Sequence, residues 1–407
     1  MIPMNSKSSL SLLLFLLLPN GVRAQAPVPP DPYVGPRWVS ADGRSEIVLE
    51  GLFQITGSVL GRGRSPRAGV ELTRMRPELA GVLDDSLRFR LEPKFTADDV
   101  ELEEAWVGMN VLSDKGLLMV GRMKVPFGLE EVRSRRHIDF TRFSILNQFS
   151  PAEEQGLFLN GKNESGRWEY GLSATDGVES GDAEASVNLA GRVMLHPHAG
   201  EDASPWRNLQ LGVGATTDAV HMDASGLHVE NAAGQEVIRM AAGTRLNGDR
   251  LRLGFEAAWF DGPWFVQAEY LHVEQDMVGA TGGADVSFAG SYLELAHVLT
   301  GESKSFKGVE PDQPFNPSTG TGRGAWVLTA RLSELRSDES LLSQGLVAPG
   351  TYTPAIRSLS LGLNWVMNRH MILRQALVHS VYSDDVLIDG RFEGGESAFL
   401  FGLQLHF

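Results

Sequence analysis

The chain has 407 residues, with 51 acidic side chains against 36 basic ones, and it contains no cysteine. The acidic balance argues against nucleic acid as the main partner, and the absence of cysteine excludes a disulfide scaffold and any thiolate metal site. The sequence contains no phosphate-cradling P-loop, no Gly-x-Ser-x-Gly elbow and no zinc signature, so we expect neither an enzyme nor a bound metal or cofactor.

The N-terminus has the order of a secretory signal peptide. Lys7 supplies a positive charge, an apolar run covers 10–18, and Pro19 follows it before the small residue Ala24. The alternative is a membrane anchor, but the run is far shorter than the ~20 apolar residues that a spanning helix needs. We therefore predict a signal peptide at 1–24, cleaved after Ala24. The mature chain then carries 34 basic and 51 acidic residues, a net charge of −17.

The rest of the chain divides into a short leader and one long domain. Residues 25–45 are rich in proline and predict an extended periplasmic leader. From residue 46 to 407, apolar and polar residues alternate in stretches of about ten, with Gly, Asp, Asn and Ser between them, which is the period of β-strands and their turns. We predict sixteen strands, near 46–57, 70–82, 87–95, 104–112, 117–125, 156–162, 167–174, 186–196, 207–217, 250–260, 264–274, 286–299, 324–334, 357–367, 370–382 and 397–407.

The last strand shows the alternation most cleanly. Its odd-numbered residues from Phe399 to Phe407 are all large and apolar, whereas the other face includes Gln404 and His406. A soluble sandwich produces the same alternation, but a closing strand that ends the chain on an aromatic is the form expected for a barrel in lipid. Lipid offers the backbone no hydrogen-bond partner, so the strands must close, with apolar faces toward lipid and charged faces toward a watery lumen. We therefore expect an all-β transmembrane antiparallel β-barrel in the outer membrane, with lipid around it.

The connections between the strands also follow a barrel pattern. An even strand number leaves both termini on the periplasmic side, and short turns then alternate with longer loops. We expect the long connections 126–155 and 218–249 to pack inside the barrel and to determine the pore radius. Segment 300–323 is also long although it falls on the periplasmic side, and the sequence offers no physical account of it.

The charge pattern predicts the length of one turn. Arg74 and Arg76 share a strand face, as do Arg88, Arg90 and Lys94 on the next strand. All five point into the lumen only if the connection has an odd number of residues, and Asp84-Asp85-Ser86 supplies three. A two-residue turn would direct Arg74 and Arg76 into lipid, where an arginine at mid-depth costs roughly 2–4 kcal/mol.

Five short motifs occur in order along the barrel pattern, at 121–130 (Gly-Arg-Met-Lys-Val-Pro-Phe-Gly-Leu-Glu), 262–270, 299–302, 324–331 and 362–365. With these motifs, the chain from about residue 46 to its end resembles the phosphate-selective porin O and P family. The resemblance implies a sixteen-stranded outer-membrane barrel, inward-folding loops and a homotrimer. It also implies passive uptake of small anionic solutes such as phosphate or polyphosphate.

Basic side chains on polar strand faces are the candidates for solute selection. Rings of Arg and Lys make a pore prefer anions, and the planar Arg fork binds two oxygens at once. The predicted anion-binding, pore-lining residues on strands are Arg74, Arg76, Arg88, Arg90, Lys94, Arg122 and Lys124. Those on the long connection are Arg133, Arg135 and Arg136, with His137 and Arg142 beside them.

Two alternatives to an anion channel remain at this point. Glu78, Glu92 and Glu104 are placed to pair with much of the basic charge, which would leave a general or cation-preferring porin. The second alternative is a structural or adhesive barrel whose lumen is plugged. No segment is long enough to supply a large plug domain, so the sequence favours a water-filled channel.

Overall fold

The computed structural model describes residues 35–61, 67–113, 115–177 and 184–407. The predicted signal peptide and the part of the leader before residue 35 lie outside the described residues. Sixteen antiparallel strands form one sheet that closes on itself. The first eight are β1 (Glu46–Gly61), β2 (Arg67–Leu83), β3 (Leu87–Phe95), β4 (Val100–Val111), β5 (Gly116–Lys124), β6 (Glu153–Lys162), β7 (Trp168–Thr175) and β8 (Asn188–Leu195). The second eight are β9 (Gln210–Asp223), β10 (Arg245–Asp261), β11 (Trp264–Val278), β12 (Gly283–Val298), β13 (Ala325–Ser337), β14 (Ala355–Asn368), β15 (Met371–Ile388) and β16 (Arg391–His406).

The first and last strands close the barrel. β1 pairs with β16, from Leu52 opposite His406 to Gly61 opposite Ser397. Phe407 continues this contact, because its backbone exchanges hydrogen bonds of 2.8 and 3.1 Å with Gly51. Each barrel strand is therefore paired on both sides, as a backbone in lipid requires. The predicted barrel of about sixteen strands is confirmed.

The two faces of each strand differ as a membrane barrel requires. On β14, Leu359 and Leu361 are exposed on the outside, whereas Ser358 and Ser360 between them are buried on the lumen side. The same alternation runs along β16, so the face predicted from Phe399 to Phe407 is the outer one. An apolar outer band is what contact with lipid requires.

The turn between β2 and β3 has the predicted three residues. Leu83 lies opposite Leu87 and Val82 opposite Arg88, which leaves 84–86 as the connection. Asp84 and Asp85 adopt φ angles of 48° and 62°, a left-handed conformation that aspartate tolerates better than most residues. Arginines on both strands consequently face the lumen.

The strands are not of equal length around the barrel. β3 to β8 have 8 to 12 residues, whereas β1, β2 and β9 to β16 have 13 to 18. We call β3–β8 the short wall and the remaining strands the tall wall. We call the end of the barrel where β1 begins and β16 finishes the terminus end, and the opposite end the loop end.

The connections contain only short regular elements. A three-residue strand in the predicted leader, Arg37–Val39, pairs with the start of β1, so this part of the leader belongs to the sheet. Among the described residues, no helix is long and apolar enough to cross a bilayer. The other elements are Leu129–Val132 and Ser340–Ser343 (α), Arg135–His137 and Asn147–Phe149 (3-10), the strand Glu184–Ala185, and the hairpins His228–Glu230 with Glu236–Arg239 and Lys304–Ser305 with Gly308–Val309.

Candidate functional site: the constricted lumen

Residues 125–152, between β5 and β6, lie inside the barrel, and we call them the inserted loop. Val125, Phe127 and Leu146 are 0–3% exposed, in contact with apolar residues of the wall and of the loop-end connections. Val229 and Ile238 of the connection 224–244 belong to the same buried cluster. The prediction that these long connections pack inward is therefore confirmed.

Carboxylate and guanidinium groups of the tall wall hold the first part of the inserted loop. Glu269 on β11 accepts hydrogen bonds from the backbone N–H groups of Leu129 and Glu130, at 2.5 and 3.0 Å. Arg331 on β13 donates to the Glu130 carboxylate at 2.8 Å and to the carbonyl of Arg142 at 2.9 Å. The wall thus binds both ends of the fourteen-residue stretch from Leu129 to Arg142, which limits how far this stretch moves into the pore.

Arg136 ties the inserted loop to the seam of the barrel. Its guanidinium contacts Glu50 on β1 and lies 3.2 Å from Glu78 on β2. Its carbonyl accepts hydrogen bonds from Arg374 on β15 at 3.0 Å and from Gln404 on β16 at 3.1 Å. Arg136 therefore acts as a structural clamp, with its charge neutralised by two acids.

A second connection enters the lumen from the terminus end and accounts for the long segment that the sequence left unexplained. We call residues 299–324 the second insert. Lys304, 3% exposed, lies 2.8 Å from Asp139 of the inserted loop. Burial raises the pKa of Asp139, but the Lys304 ammonium outweighs it, so the pKa lies below its ordinary value of 3.8. The rings of Phe306 and Phe265 meet edge to face at 5.4 Å, so the insert is also packed against β11.

The lumen remains open along the short wall, on the side away from these anchors. A cavity of about 580 Å³ lies there, bounded by β3–β8 and by Pro126 and Val132 of the inserted loop. Six basic and two acidic side chains line this short-wall cavity: Arg88, Arg90, Lys115, Lys124, Lys162 and Arg192, against Glu104 and Glu169.

Four of the ten predicted pore-lining residues form an ion-paired cluster on β2–β4. Arg76 lies 2.8 Å from Glu103, and Arg90 lies 2.8 Å from Glu78. Arg76 also contacts Glu92. The other pairs are Arg74 with Glu103 (3.9 Å), Lys94 with Glu101 (2.6 Å) and Arg90 with Glu92 (3.0 Å) and Glu104 (3.4 Å). Carboxylates thus offset most of the charge of this cluster.

Two further predicted residues position the inserted loop. Arg133 donates to Gln267 at 2.6 Å and to the carbonyl of His137 at 2.9 Å. Lys124 lies 3.3 Å from the Glu131 carboxylate and donates to the carbonyl of Arg133 at 3.2 Å. Both residues therefore hold the inserted loop in place, as Arg136 does.

Arg88 and Arg135 differ from the other predicted residues. In the described part of the chain, neither has a carboxylate within ion-pair distance. Arg88 lines the short-wall cavity, and the Arg135 guanidinium lies 3.6 Å from the ring centre of Phe143. These two side chains therefore carry positive charge that no ion pair offsets within the described residues.

Arg122 lies on the outer face, contrary to the prediction that it faces the lumen. It shares a face of β5 with Leu118 and Val120, which are 40% and 50% exposed on the outside. Lys124 has the same parity, but it is the last residue of the strand and its side chain turns toward the inserted loop. The prediction placed both residues on a polar face, and the apolar residues on that face argued against this.

Lumen cations of the later strands were absent from the predicted set. Arg192 on β8 forms a two-pronged pair with Glu256, with distances of 2.6–3.1 Å, while Arg331 and Arg374 bind the inserted loop. The same alternation that indicated Arg88 would have indicated these residues. Their partners are distant in sequence, so the pattern carries no sign of the pairing.

The barrel agrees with what comparison with known proteins shows. Residues 61–390 match the family described as phosphate-selective porin O and P. The chain belongs to this family. It is 27% identical over 308 residues to Porin O of Pseudomonas aeruginosa, a match that covers 68% of this chain and 67% of that protein. It is 26% identical over 323 residues to an uncharacterized protein of Caulobacter vibrioides, covering 74% of this chain and 62% of that one. The chain thus spans about two thirds of the length of these curated relatives.

Solved structures with the same fold are also outer-membrane proteins. The anion-selective porin from Comamonas acidovorans superposes with a TM-score of 0.55 at 12% identity, covering 89% of this chain and 100% of that one. The channel DcaP of Acinetobacter baumannii gives 0.56 at 10% identity, covering 91% and 99%. The trimer form of OmpT from Vibrio cholerae gives 0.54 at 11% identity, covering 89% and 99%. Family and fold together identify an outer-membrane porin.

Proposed function

We propose that this porin admits small anions by passive diffusion, with phosphate or polyphosphate among its solutes. The observation that carries the proposal is the short-wall cavity, where six basic side chains face two acidic ones. A pore lined by an excess of Arg and Lys lowers the free energy of an anion in its narrow part and raises that of a cation.

The uncompensated cations are the selective groups in this proposal. Four of the six basic residues, Arg90, Lys115, Lys124 and Arg192, already bind carboxylates, so they contribute little net charge. Arg88 and Lys162 line the same cavity and have no carboxylate within ion-pair distance among the described residues. Arg135 adds a third free charge on the inserted loop.

Phosphate as a solute has separate support. The family description names phosphate, and Porin O is a relative at 27% identity. The Comamonas protein that shares the fold is an anion-selective porin by its description. In the other direction, the paired cluster on β2–β4 and the mature net charge of −17 favour a general or cation-preferring porin.

The zero-current potential in a planar bilayer under a potassium chloride gradient tests the proposal. Wild-type protein is expected to show the sign for chloride permeation. Replacing the two free arginines, Arg88→Gln with Arg135→Gln, is expected to lower the chloride-to-potassium permeability ratio several-fold, about 1 kcal/mol for charges near solvent. Arg391→Gln, at the exposed start of β16 on the loop end, is the matched control and should leave the ratio unchanged. A cation-selective wild type would overturn the proposal.

We also propose that the chain is exported by cleavage after Ala24 and works as a homotrimer in outer-membrane lipid. The trimer form of OmpT, which shares the barrel fold, supports the assembly. N-terminal sequencing of the protein from outer membranes should begin at Gln25. Chemical cross-linking in membranes should give a trimer band, and a monomer alone would contradict the assembly.

A further inference from the structure

The short-wall cavity has an apolar side as well as a basic one. Trp106 on β4, Leu117, Met119 and Met123 on β5, and Met194 on β8 line it together with the cations. A water-filled barrel ordinarily carries polar residues on its lumen face. The tall wall also has lumen-facing apolar residues, such as Phe288 and Leu335, but these are buried in the cluster that seats the inserted loop, whereas the apolar stripe borders the cavity.

The strand register places this stripe on the inner wall. Val107 and Met109 pair with Val120 and Leu118, and all four are at least 40% exposed on the outside. The residues between them consequently face inward. Met119 is 2% exposed.

Four of these residues pack within the wall. Their cluster consists of Met119, Met123 and Phe158, with Trp106 and Leu117 against them, and every member lies on β4, β5 or β6. Met194 packs instead with Leu129 of the inserted loop and Ala258 on β10, so it helps to seat the loop. An apolar wall patch that served only to seat the inserted loop would include loop residues in its cluster. Trp106 is further oriented by its indole N–H, which donates to Glu104 at 3.2 Å.

Apolar and cationic groups thus line one space of about 580 Å³, a volume within the range of small-molecule sites. Inorganic phosphate has no apolar surface to place against the stripe. An anion with an apolar body gains from burying that body, while its charge meets Arg88 or Lys162. Methionine side chains adapt to such a body, because the thioether chain is flexible and polarisable.

We propose that the short-wall cavity is a subsite for organic anions with an apolar body, such as aromatic or branched aliphatic carboxylates. The carboxylate lies by Arg88, and the apolar body lies against Met119 and Met123. This inference rests on the anion preference proposed above and narrows it to a class of solute.

The test is the block of chloride current by benzoate and by inorganic phosphate, measured in one bilayer system at pH 6, where most phosphate is monovalent. Benzoate is expected to halve the current at about tenfold lower concentration, since burying roughly 55 Å² of apolar surface has that effect on a binding constant. Benzyl alcohol, which lacks the charge, should block far more weakly than benzoate.

Two substitutions that keep side-chain length separate the contribution of the apolar surface to benzoate binding from the contribution of the positive charge. Met119→Gln and Met123→Gln should each weaken the benzoate block several-fold, with the phosphate block and the zero-current potential unchanged. Met371→Gln, on the outer face at the start of β15, is the matched control and should leave the benzoate block intact.

The outcomes separate the two proposals. A cation-selective wild type would overturn the anion preference and the subsite with it. An anion-selective wild type that benzoate blocks no better than phosphate would overturn the subsite alone. The wild-type comparison needs no variant, so it stands even if a methionine variant fails to assemble.

Discussion

Polar lumen-facing side chains have different partners on the short wall and on the tall wall. On the tall wall, polar side chains such as Glu269, Arg331 and Arg374 bind the backbone of the inserted loop, so they hold the loop in place and do not face the open pore. On the short wall, the cations border a cavity, and Arg88 is left without an acid among the described residues. A lumen charge therefore indicates selectivity only where nothing packs against it.

The difference has an energetic basis. A buried ion pair recovers its desolvation cost through close geometry and further hydrogen bonds, and one charge without the other is expensive. Arg331 on the tall wall meets this condition through its pairs with Glu130 and Glu294. A charge that faces water keeps its hydration, so Arg88 can remain unpaired and attract a mobile ion.

The largest expected effect comes from breaking the clamp at the seam. Arg136→Met removes the guanidinium that Glu50 and Glu78 share and leaves Glu78 its pair with Arg90, at a cost on the order of 3–5 kcal/mol. We expect a lower unfolding temperature and a larger unitary conductance, because the inserted loop loses its hold on β1 and β2.

The control for this clamp is Arg142→Met on the same loop. Arg142 pairs with Glu230 while 46% of its side chain is exposed, so its loss should cost less than about 1 kcal/mol. Equal conductance and stability in the two variants would show that Arg136 does not hold the loop.

A smaller effect is expected at the contact between the two inserts. Lys304 holds the pKa of Asp139 below its ordinary value of 3.8. The pair therefore stabilises the fold fully at pH values above 3.8, and this stabilisation is lost as the pH falls through the lowered pKa. Conductance should stay constant from pH 7 down to about pH 4 and rise only below that.

Two variants check this pH dependence. Lys304→Met leaves Asp139 buried without its partner and should raise conductance at neutral pH, with a cost of about 3 kcal/mol. Asp139→Asn should remove the rise in conductance at acid pH. If the rise persists in Asp139→Asn, other groups cause it.

The smallest effect is expected at Arg122, which distinguishes the outer face from the lumen. Arg122→Leu removes a positive charge from β5 on the side away from the pore. The zero-current potential should match that of wild type within error. A shift as large as that of the Arg88 and Arg135 variant would mean that Arg122 reaches the lumen.

The fold follows from local patterns, which explains how much of it the sequence predicts. Alternation along β16 and the three-residue turn at 84–86 depend on neighbours in the chain, so both are readable without a structure. The parity of Leu118 and Val120 was also readable, and it would have placed Arg122 outside.

The site depends on partners far apart in sequence, and those could not be predicted. A register shift in β4 turns Glu103 and Glu104 both inward, which adds an acid to the cluster that strict alternation would place outside. The meeting of Lys304 with Asp139 joins segments 165 residues apart. Nothing local in either segment marks the other as its partner.

The most direct test of the asymmetric lumen is the accessibility of single cysteines to a charged thiol reagent during current recording. The chain has no cysteine, so each variant reports one position. Asn110→Cys and Asn160→Cys line the short-wall cavity, whereas Ser360→Cys lies on the tall wall, where the serine is 2% exposed. We expect the reagent to block current through the first two variants and to leave the third unchanged. Equal block at all three positions would contradict a conducting path confined to the short wall.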